Sequence, residues 1–166
     1  MYRLNMRLFF LRIFLLLLTS HLWALSIDSK QPLHIDSESQ LLDMKNDKVT
    51  FTGNVVLRQG SISITAERLV LISGSDTGNI DEIQGCGDLA TFSWLSDRGS
   101  ALYGEAKEIS YQVALGQLIM TDNAVLYQAN NMIKSENIRY QILDEELAAG
   151  GGPGVRVSTI LEVANE

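Results

Sequence analysis

The sequence predicts an all-β protein, and three observations support this fold class. Apolar and polar residues alternate with a period of two in several segments, including residues 62–66 and 137–142. This alternation is typical of half-buried strands. Turn-forming Gly, Asn and Asp residues interrupt the alternating segments at roughly 8–12-residue intervals, as expected for many short antiparallel strands. Only two prolines are present, so the turns depend on Gly, Asn and Asp.

The alternation also places the first and last strands. Leu33 and Ile35 flank His34, which predicts a first strand around residues 33–42, and the last strand is expected at residues 155–163. Residues 144–149 are good helix formers, but a helix of about two turns is marginal, so we predict a turn and a strand edge there. Turns are predicted at residues 45–47, 53–54, 59–60, 73–76, 85–87, 97–99, 121–123, 129–131 and 150–154.

The N-terminal segment has the features of a secretory signal peptide. Arg3 and Arg7 precede a mainly apolar run at residues 8–18, and small residues follow at Ala24 and Ser26. We predict a signal peptide at residues 1–24, with an alternative cleavage site after residue 26, and a single domain at residues 27–166. An uncleaved anchor is the alternative, but the run is far shorter than the roughly 20 residues that span a bilayer.

The charge of the chain argues against nucleic acid as a partner. Residues 1–24 contain three arginines and no acidic residue, which leaves 10 basic and 20 acidic residues and a net charge of −10. Neutralisation of phosphates by basic side chains supplies much of the affinity for nucleic acids. The same shortage of basic residues argues against a purely electrostatic grip on any phosphorylated ligand.

The chain contains an internal repeat. Residues 42–71 align with residues 111–140 at an offset of 69. A strand–turn–strand unit cannot bury its apolar face alone, so the repeat predicts stacked hairpins that form two sheets or a flattened roll. Seven positions are identical: Thr52, Asn54, Val56, Leu57, Gln59, Ile64 and Glu67 match Thr121, Asn123, Val125, Leu126, Gln128, Ile133 and Glu136.

Short motifs in a fixed order extend through most of the chain. They lie at residues 31–37, 49–57, 59–62, 66–69, 85–87, 90–92, 104–106 and 155–159. In this order and spacing the chain resembles the LptA/OstA family from about residue 31 to residue 163. The resemblance implies an open, twisted β-jellyroll of many short antiparallel strands, with an apolar groove between its sheets.

The resemblance also implies a function and partners. It implies a periplasmic lipopolysaccharide-binding transport protein that bridges the inner and outer membranes and holds the acyl chains of lipid A between its sheets. It implies head-to-tail stacking of subunits through edge strands. The implied end partners are an LptC-like inner-membrane subunit and an LptD-like outer-membrane subunit.

The residues themselves offer candidates for both roles. Inward-facing apolar residues of alternating strands are candidates for a lipid-binding groove, although each also fits an ordinary core: Leu33, Ile35, Phe51, Ile62, Ile64, Phe92, Trp94, Tyr111, Val113 and Leu126. Unpaired backbone groups of edge strands template pairing with another chain. The candidate edge residues are Leu33, Ile35, Val155, Val157, Thr159 and Leu161.

Catalytic chemistry finds little support. Without the signal peptide, His34 is the only histidine and Cys86 the only cysteine, too few for a zinc site of usual composition. The acidic residues 144–146 fit a solvated turn, and the glycine-rich residues 150–154 lack the Lys-Ser/Thr of a phosphate loop. We therefore predict no catalytic residue, no metal and no cofactor.

Three other functions remain open from the sequence. The same fold could serve as an envelope interaction module that pairs edge strands and binds no lipid. An envelope hydrolase would need two carboxylates facing each other in a cleft. An anchored LptC-like subunit would need to retain residues 1–24.

Overall fold

The protein is built from antiparallel strands. The computed structural model describes residues 28, 31–74, 78–96 and 99–162; the predicted signal peptide and parts of the turns predicted at 73–76 and 97–99 lie outside this range. Within it, no helix is long and apolar enough to cross a membrane. The strands are β1 (His34–Asp36), β2 (Ser39–Asp43), β3 (Lys48–Gln59), β4 (Ile62–Ser73), β5 (Ile80–Leu95), β6 (Ala101–Gln112), β7 (Gln117–Gln128), β8 (Asn131–Gln141), β9 (Glu146–Gly150) and β10 (Ser158–Ile160).

All ten strands form one antiparallel sheet. Its main order is β1-β3-β4-β5-β6-β7-β8-β10, while β2 also pairs with β3 and β9 also pairs with β8. Each long strand therefore pairs with its neighbours in sequence. The long strands β3–β8 are joined by hairpin connections, which suit antiparallel strands.

A line of register shifts crosses the long strands near their middles, and we call this line the crease. It interrupts each ladder from β3–β4 to β7–β8, for example between Thr52 and Val55 and between Thr121 and Ala124. Gly53, Asn54, Asp122 and Asn123 have φ values of 86°, 45°, 65° and 57°. Such left-handed residues inside a ladder produce bulges that bend the strand.

The crease divides the sheet into two layers. The first layer holds β2, β9 and the halves of β3–β8 that pair with them, and the second layer holds β1, β10 and the other halves. Phe92 of the second layer and Tyr111 of the first have ring centroids 5.7 Å apart, although they lie on opposite sides of the crease. The two layers therefore face each other, and their inner surfaces form one apolar core.

The repeat predicted from the sequence is confirmed by the strands. A shift of 69 residues places β3 on β7 and carries the bulge at Gly53 and Asn54 onto the bulge at Asp122 and Asn123. Predicted turns at 53–54, 85–87 and 121–123 were wrong, because the strands continue through them. Their turn-forming residues bend a strand at the crease instead of reversing it.

The ends of the chain also differ from prediction. The first strand is split into β1 and β2, and both pieces pair with β3. The last strand is only three residues long, because residues 155–157 precede it without pairing. The turn and strand predicted at 144–149 are confirmed by β9.

Candidate functional site

The inward side chains of the second layer are small beside the crease and mostly larger further from it. In the second layer the row of inward residues next to the crease is small: Val55 pairs with Ala66, Ala90 with Ala106 and Ala124 with Ser135. The next row contains Leu57, Ile64, Phe92 and Leu126, and the outermost row contains Ile62, Trp94 and Leu102. We call this interior, with small side chains beside the crease and larger ones beyond it, the wedge.

The first layer closes the wedge with two inward rows. The row next to the crease contains Phe51, Leu69, Gly85, Ile109, Met120 and Ile138. The outer row contains Leu71, Ile83, Tyr111, Leu118, Tyr140 and Leu147. Gly85 is the only residue of this first-layer row next to the crease without a side chain. A Cβ placed there would lie 3.6 Å from the Cγ2 of Ile64 in the opposite layer. Contact is tighter at Gly104, which lies between Phe92 and Leu126 in the second layer, because a Cβ there would lie 2.5 Å from the Sδ of Met120 in the opposite layer.

The wide end of the wedge opens to the outside through a cavity that we call the mouth. It has a volume of about 700 Å³ and lies between Gln59 of the second layer and residues of the first layer, among them Ile80, Ile83 and Val113. Asn79, Asp81, Gly78 and Ala114 complete its lining. The apolar interior is thus accessible between the hairpin ends of the two layers.

All ten predicted groove residues belong to this interior. Seven are buried: Phe51, Ile62, Ile64, Phe92, Trp94, Tyr111 and Leu126. Leu33, Ile35 and Val113 are partly buried and pack against the same cluster. The structure thus brings the ten residues together in one interior between the two layers. Their contact with a ligand stays a prediction.

Polar groups are placed at the wide end. The carboxylate of Asp28 accepts hydrogen bonds from the backbone N–H and the hydroxyl of Ser61, at 3.0 and 2.6 Å, and so caps the β3–β4 hairpin. Burial raises the pKa of Tyr111, and the negative charge of Asp28 raises it further. The Tyr111 hydroxyl is therefore neutral at ordinary pH and available as a donor.

Sequence reasoning missed Tyr140 in the interior. Tyr140 is 1% exposed and lies two strands from Tyr111 in the same row, with Leu118 between them. The repeat could have identified Tyr140, because it aligns this residue with the apolar Leu71. In the structure, both residues occupy the outer row of the first layer. Leu57, Leu102 and Leu118 were missed in the same way.

The sheet has an edge at each end of the chain. The N-terminal edge consists of β1 in the second layer and β2 in the first, and the C-terminal edge consists of β10 and β9. Of the predicted edge residues, Ile35 lies in β1 and Thr159 in β10. Leu33, Val155, Val157 and Leu161 were wrongly assigned to strands, since they lie just outside them. Exposed apolar side chains mark both edges: Leu41 and Leu42 at one, Val155, Val157, Ile160 and Leu161 at the other.

The chemistry-bearing residues of the described part are dispersed. Within it, no group of three or more His, Cys, Asp or Glu residues could hold a metal ion. His34 is exposed on β1, as its alternation with Leu33 and Ile35 predicts. Cys86 is exposed on β5 and unpaired with another cysteine.

The fold and the interior define an open all-β jellyroll with an apolar wedge between its layers. The profile of the family described as LptA/(LptD N-terminal domain) LPS transport protein matches residues 34–146. This match covers more than half of the chain.

Related proteins agree with the family profile. The chain is 37% identical over 153 residues to the lipopolysaccharide export system protein LptA of Escherichia coli (strain K12), covering 88% of this chain and 83% of that protein. It is 35% identical over 148 residues to LptA of Haemophilus influenzae, covering 89% and 86%. The chain therefore belongs to the LptA family.

A solved structure has the same fold. It is LptH of Pseudomonas aeruginosa, described as the LptA-homologous periplasmic component of the conserved lipopolysaccharide transport device. The TM-score is 0.76 at 22% sequence identity, and the match covers 83% of this chain and 100% of that one.

Proposed function

We propose that this protein is a periplasmic lipopolysaccharide-binding transport protein that bridges the inner and outer membranes. It carries lipopolysaccharide by placing the acyl chains in the apolar wedge between the two layers. The observation that carries the proposal is that the two layers share one apolar core and that a cavity of about 700 Å³, the mouth, adjoins this core at Ile80, Ile83 and Val113. The lipopolysaccharide export function of the relatives supports the same cargo.

The energetics limit how deeply the cargo is buried. Burial of one methylene contributes about 0.8 kcal/mol, so one 12-carbon chain contributes roughly 10 kcal/mol before costs. Several fully buried chains would exceed the ceiling of about 20 kcal/mol for non-covalent binding. A transport protein must release its cargo, so the wedge covers the chains only in part. The sugars and phosphates remain outside, where the acidic chain offers them little attraction.

The two edges provide the route between subunits. Each edge presents one strand per layer with unpaired backbone groups, which suits pairing with a strand of a neighbour. The C-terminal edge of one copy joins the N-terminal edge of the next, so the wedges of a head-to-tail homo-oligomer are continuous. An LptC-like inner-membrane subunit and an LptD-like outer-membrane subunit occupy the two ends. The signal peptide at residues 1–24 directs the chain to the periplasm and is removed.

Photocrosslinking tests the cargo. A photoreactive phenylalanine derivative replaces Tyr111, which faces inward on β6, or Tyr103, which is 39% exposed on the outer face of the same strand. The two sites are a matched pair of tyrosines. Lipopolysaccharide adducts in cells at position 111 and not at 103 are expected. Adducts at neither position, with crosslinks between subunits intact, would favour the interaction module over the lipid carrier.

Disulfide formation between copies tests the stacking. In a Cys86→Ser background, one protein carries Leu41→Cys on β2 and a second carries Ala148→Cys on β9, both exposed positions. The expected result is a crosslinked dimer in the mixture and little in either protein alone. Equal crosslinking of one protein with itself would contradict a head-to-tail arrangement.

A further inference from the structure

One buried polar group of the interior lacks an acceptor for its proton. The hydroxyl of Tyr140 is shielded from solvent and has no hydrogen-bond partner of normal geometry within the part of the chain that the structure describes, and the side chain of Gln128 interacts only with its oxygen. Buried polar groups of folded proteins are nearly always hydrogen-bonded, so an exception calls for a role. A phenylalanine would fill the same space and leave no polar atom unsatisfied.

The groups around this hydroxyl place it in the outer row of the interior, away from the crease. Tyr140 lies in the outer row of the first layer, between Leu118 and Leu147. Its hydroxyl is approached by Gln128, from the outermost row of the second layer, and lies near Glu145 in the β8–β9 turn. Gln128 pairs with Asn131, so polar residues face the hydroxyl from the second layer.

The hydroxyl is a neutral donor. Burial raises the pKa of Tyr140, the charge of Glu145 raises it further, and Gln128 lowers it in part. A neutral phenol at ordinary pH can donate one hydrogen bond to an oxygen that enters the wedge.

The position of the hydroxyl indicates the chemistry of that oxygen. The rows nearer the crease are apolar and suit the tail of a lipid, while the negative charge of Glu145 lies near the hydroxyl. An anionic phosphate or carboxylate is disfavoured beside this carboxylate, whereas a neutral acceptor is not. Such acceptors occur at the root of an acyl chain, as an ester or amide carbonyl, or as a hydroxyl on the chain.

We propose that the Tyr140 hydroxyl donates a hydrogen bond to a neutral oxygen at the root of a bound acyl chain. This inference rests on the proposed function, since it assigns one residue of the same interior a role in recognising the cargo. Tyr140 thereby sets how far the chain enters: its apolar part passes towards the crease, and its polar root stops at the outer row.

The test is a comparison of stability and binding in Tyr140→Phe, with Tyr103→Phe as the matched control on the outer face. Calorimetric titration with purified lipopolysaccharide should show about fivefold weaker binding for Tyr140→Phe, equivalent to about 1 kcal/mol. The Tm of the unliganded variant should be unchanged or higher, because an unsatisfied group is removed. Tyr103→Phe should alter neither quantity.

The failure of this inference is distinct from the failure of the proposed function. Equal affinity of wild type and Tyr140→Phe for lipopolysaccharide overturns the hydrogen bond and leaves the lipid carrier intact. Absence of binding by the wild type overturns the lipid carrier itself.

Two probes identify the oxygen, namely the methyl esters of tetradecanoic acid and of β-hydroxytetradecanoic acid. Weaker binding of both to the variant assigns the carbonyl. Weaker binding of the hydroxylated ester alone assigns the hydroxyl, and unchanged binding of both overturns the proposal.

Discussion

The crease and the mouth are opposite ends of one interior, and they are built from different residues. At the crease the second layer contributes Ala66, Ala90, Ala106 and Ala124, all buried. Towards the mouth it contributes Trp94 and other large side chains. The alanines beside the crease are fully packed between the layers, whereas a cavity of about 700 Å³ lies at the mouth. The two ends of the interior therefore differ in the free space that they offer to a ligand.

This difference separates stability from binding. Large, fully buried side chains between the layers lose the most contacts and leave the largest cavities when truncated, so they contribute most to the free energy of unfolding. Residues at the mouth already lie beside open space and have fewer contacts to lose. Substitutions at the two ends should therefore have effects of different size and kind.

The largest effect is expected where the two layers touch. Phe92 is 0% exposed and contacts Tyr111 across the wedge, so Phe92→Ala should lower the free energy of unfolding by about 3–5 kcal/mol. Urea denaturation measures this change. Tyr103→Ala, on the outer face of the adjacent strand, should cost less than about 1 kcal/mol. Similar costs for the two variants would show that the layers are not held together at this contact.

Substitution by a larger side chain should destabilise the protein at the crease but not at the mouth. Ala106 is 0% exposed beside the crease, so Ala106→Leu should force the layers apart and cost about 1–3 kcal/mol. Val113→Leu adds one methylene beside the mouth cavity and should change the stability by less than about 0.5 kcal/mol. Thermal unfolding of both variants checks the difference. A tolerated leucine at position 106 would mean that the crease is not tightly packed.

The sequence predicts the strands and the inward residues well, because alternation reports which face of a strand is buried. Ile62 and Ile64 on β4, which alternate with Ser61 and Ser63, illustrate this local signal. The crease was not predictable in the same way. Gly53-Asn54 has the composition of a hairpin turn, and only pairing with distant strands determines that the chain bends there instead of reversing.

The mouth was harder to predict for a different reason. Gln59 and Val113 are far apart in sequence and meet at the mouth only when the sheet folds at the crease. The hydroxyl of Tyr140 gives no local signal either, because its lack of a partner depends on the opposite layer. The alternating apolar residues of the sequence indicated that a core exists. The position and lining of the mouth became known only from the structure.

The two equivalent bulges at the crease allow a smaller, matched comparison. Gly53 and Asp122 occupy the same repeat position with φ values of 86° and 65°. Gly53→Ala should cost about 1–2 kcal/mol, because a Cβ is unfavourable in the left-handed region. Asp122→Gly relieves that strain and loses an exposed ion pair with Lys107 at 3.4 Å, so its net change should be within about 0.5 kcal/mol. Equal costs of the two substitutions in chemical denaturation would show that the left-handed backbone conformation does not determine the cost of a Cβ at these two positions.

The smallest effect concerns the tyrosines of the outer row at alkaline pH. Burial raises the pKa of Tyr111 and of Tyr140 above the ordinary value of about 10, so the unfolded chain releases these protons first. Their contribution to stability is complete below about pH 10 and is lost as the pH rises through the folded pKa values. The free energy of unfolding of the wild type should therefore fall more steeply above about pH 10 than that of the double variant Tyr111→Phe/Tyr140→Phe. Tyr103→Phe is the control on the outer face, where solvent screens the shift, and it should follow the wild type more closely. Parallel curves for the wild type and the double variant would mean that the folded protein accepts phenolate at Tyr111 and Tyr140. Water would then reach the outer row of the wedge, and only the rows nearer the crease would be dry.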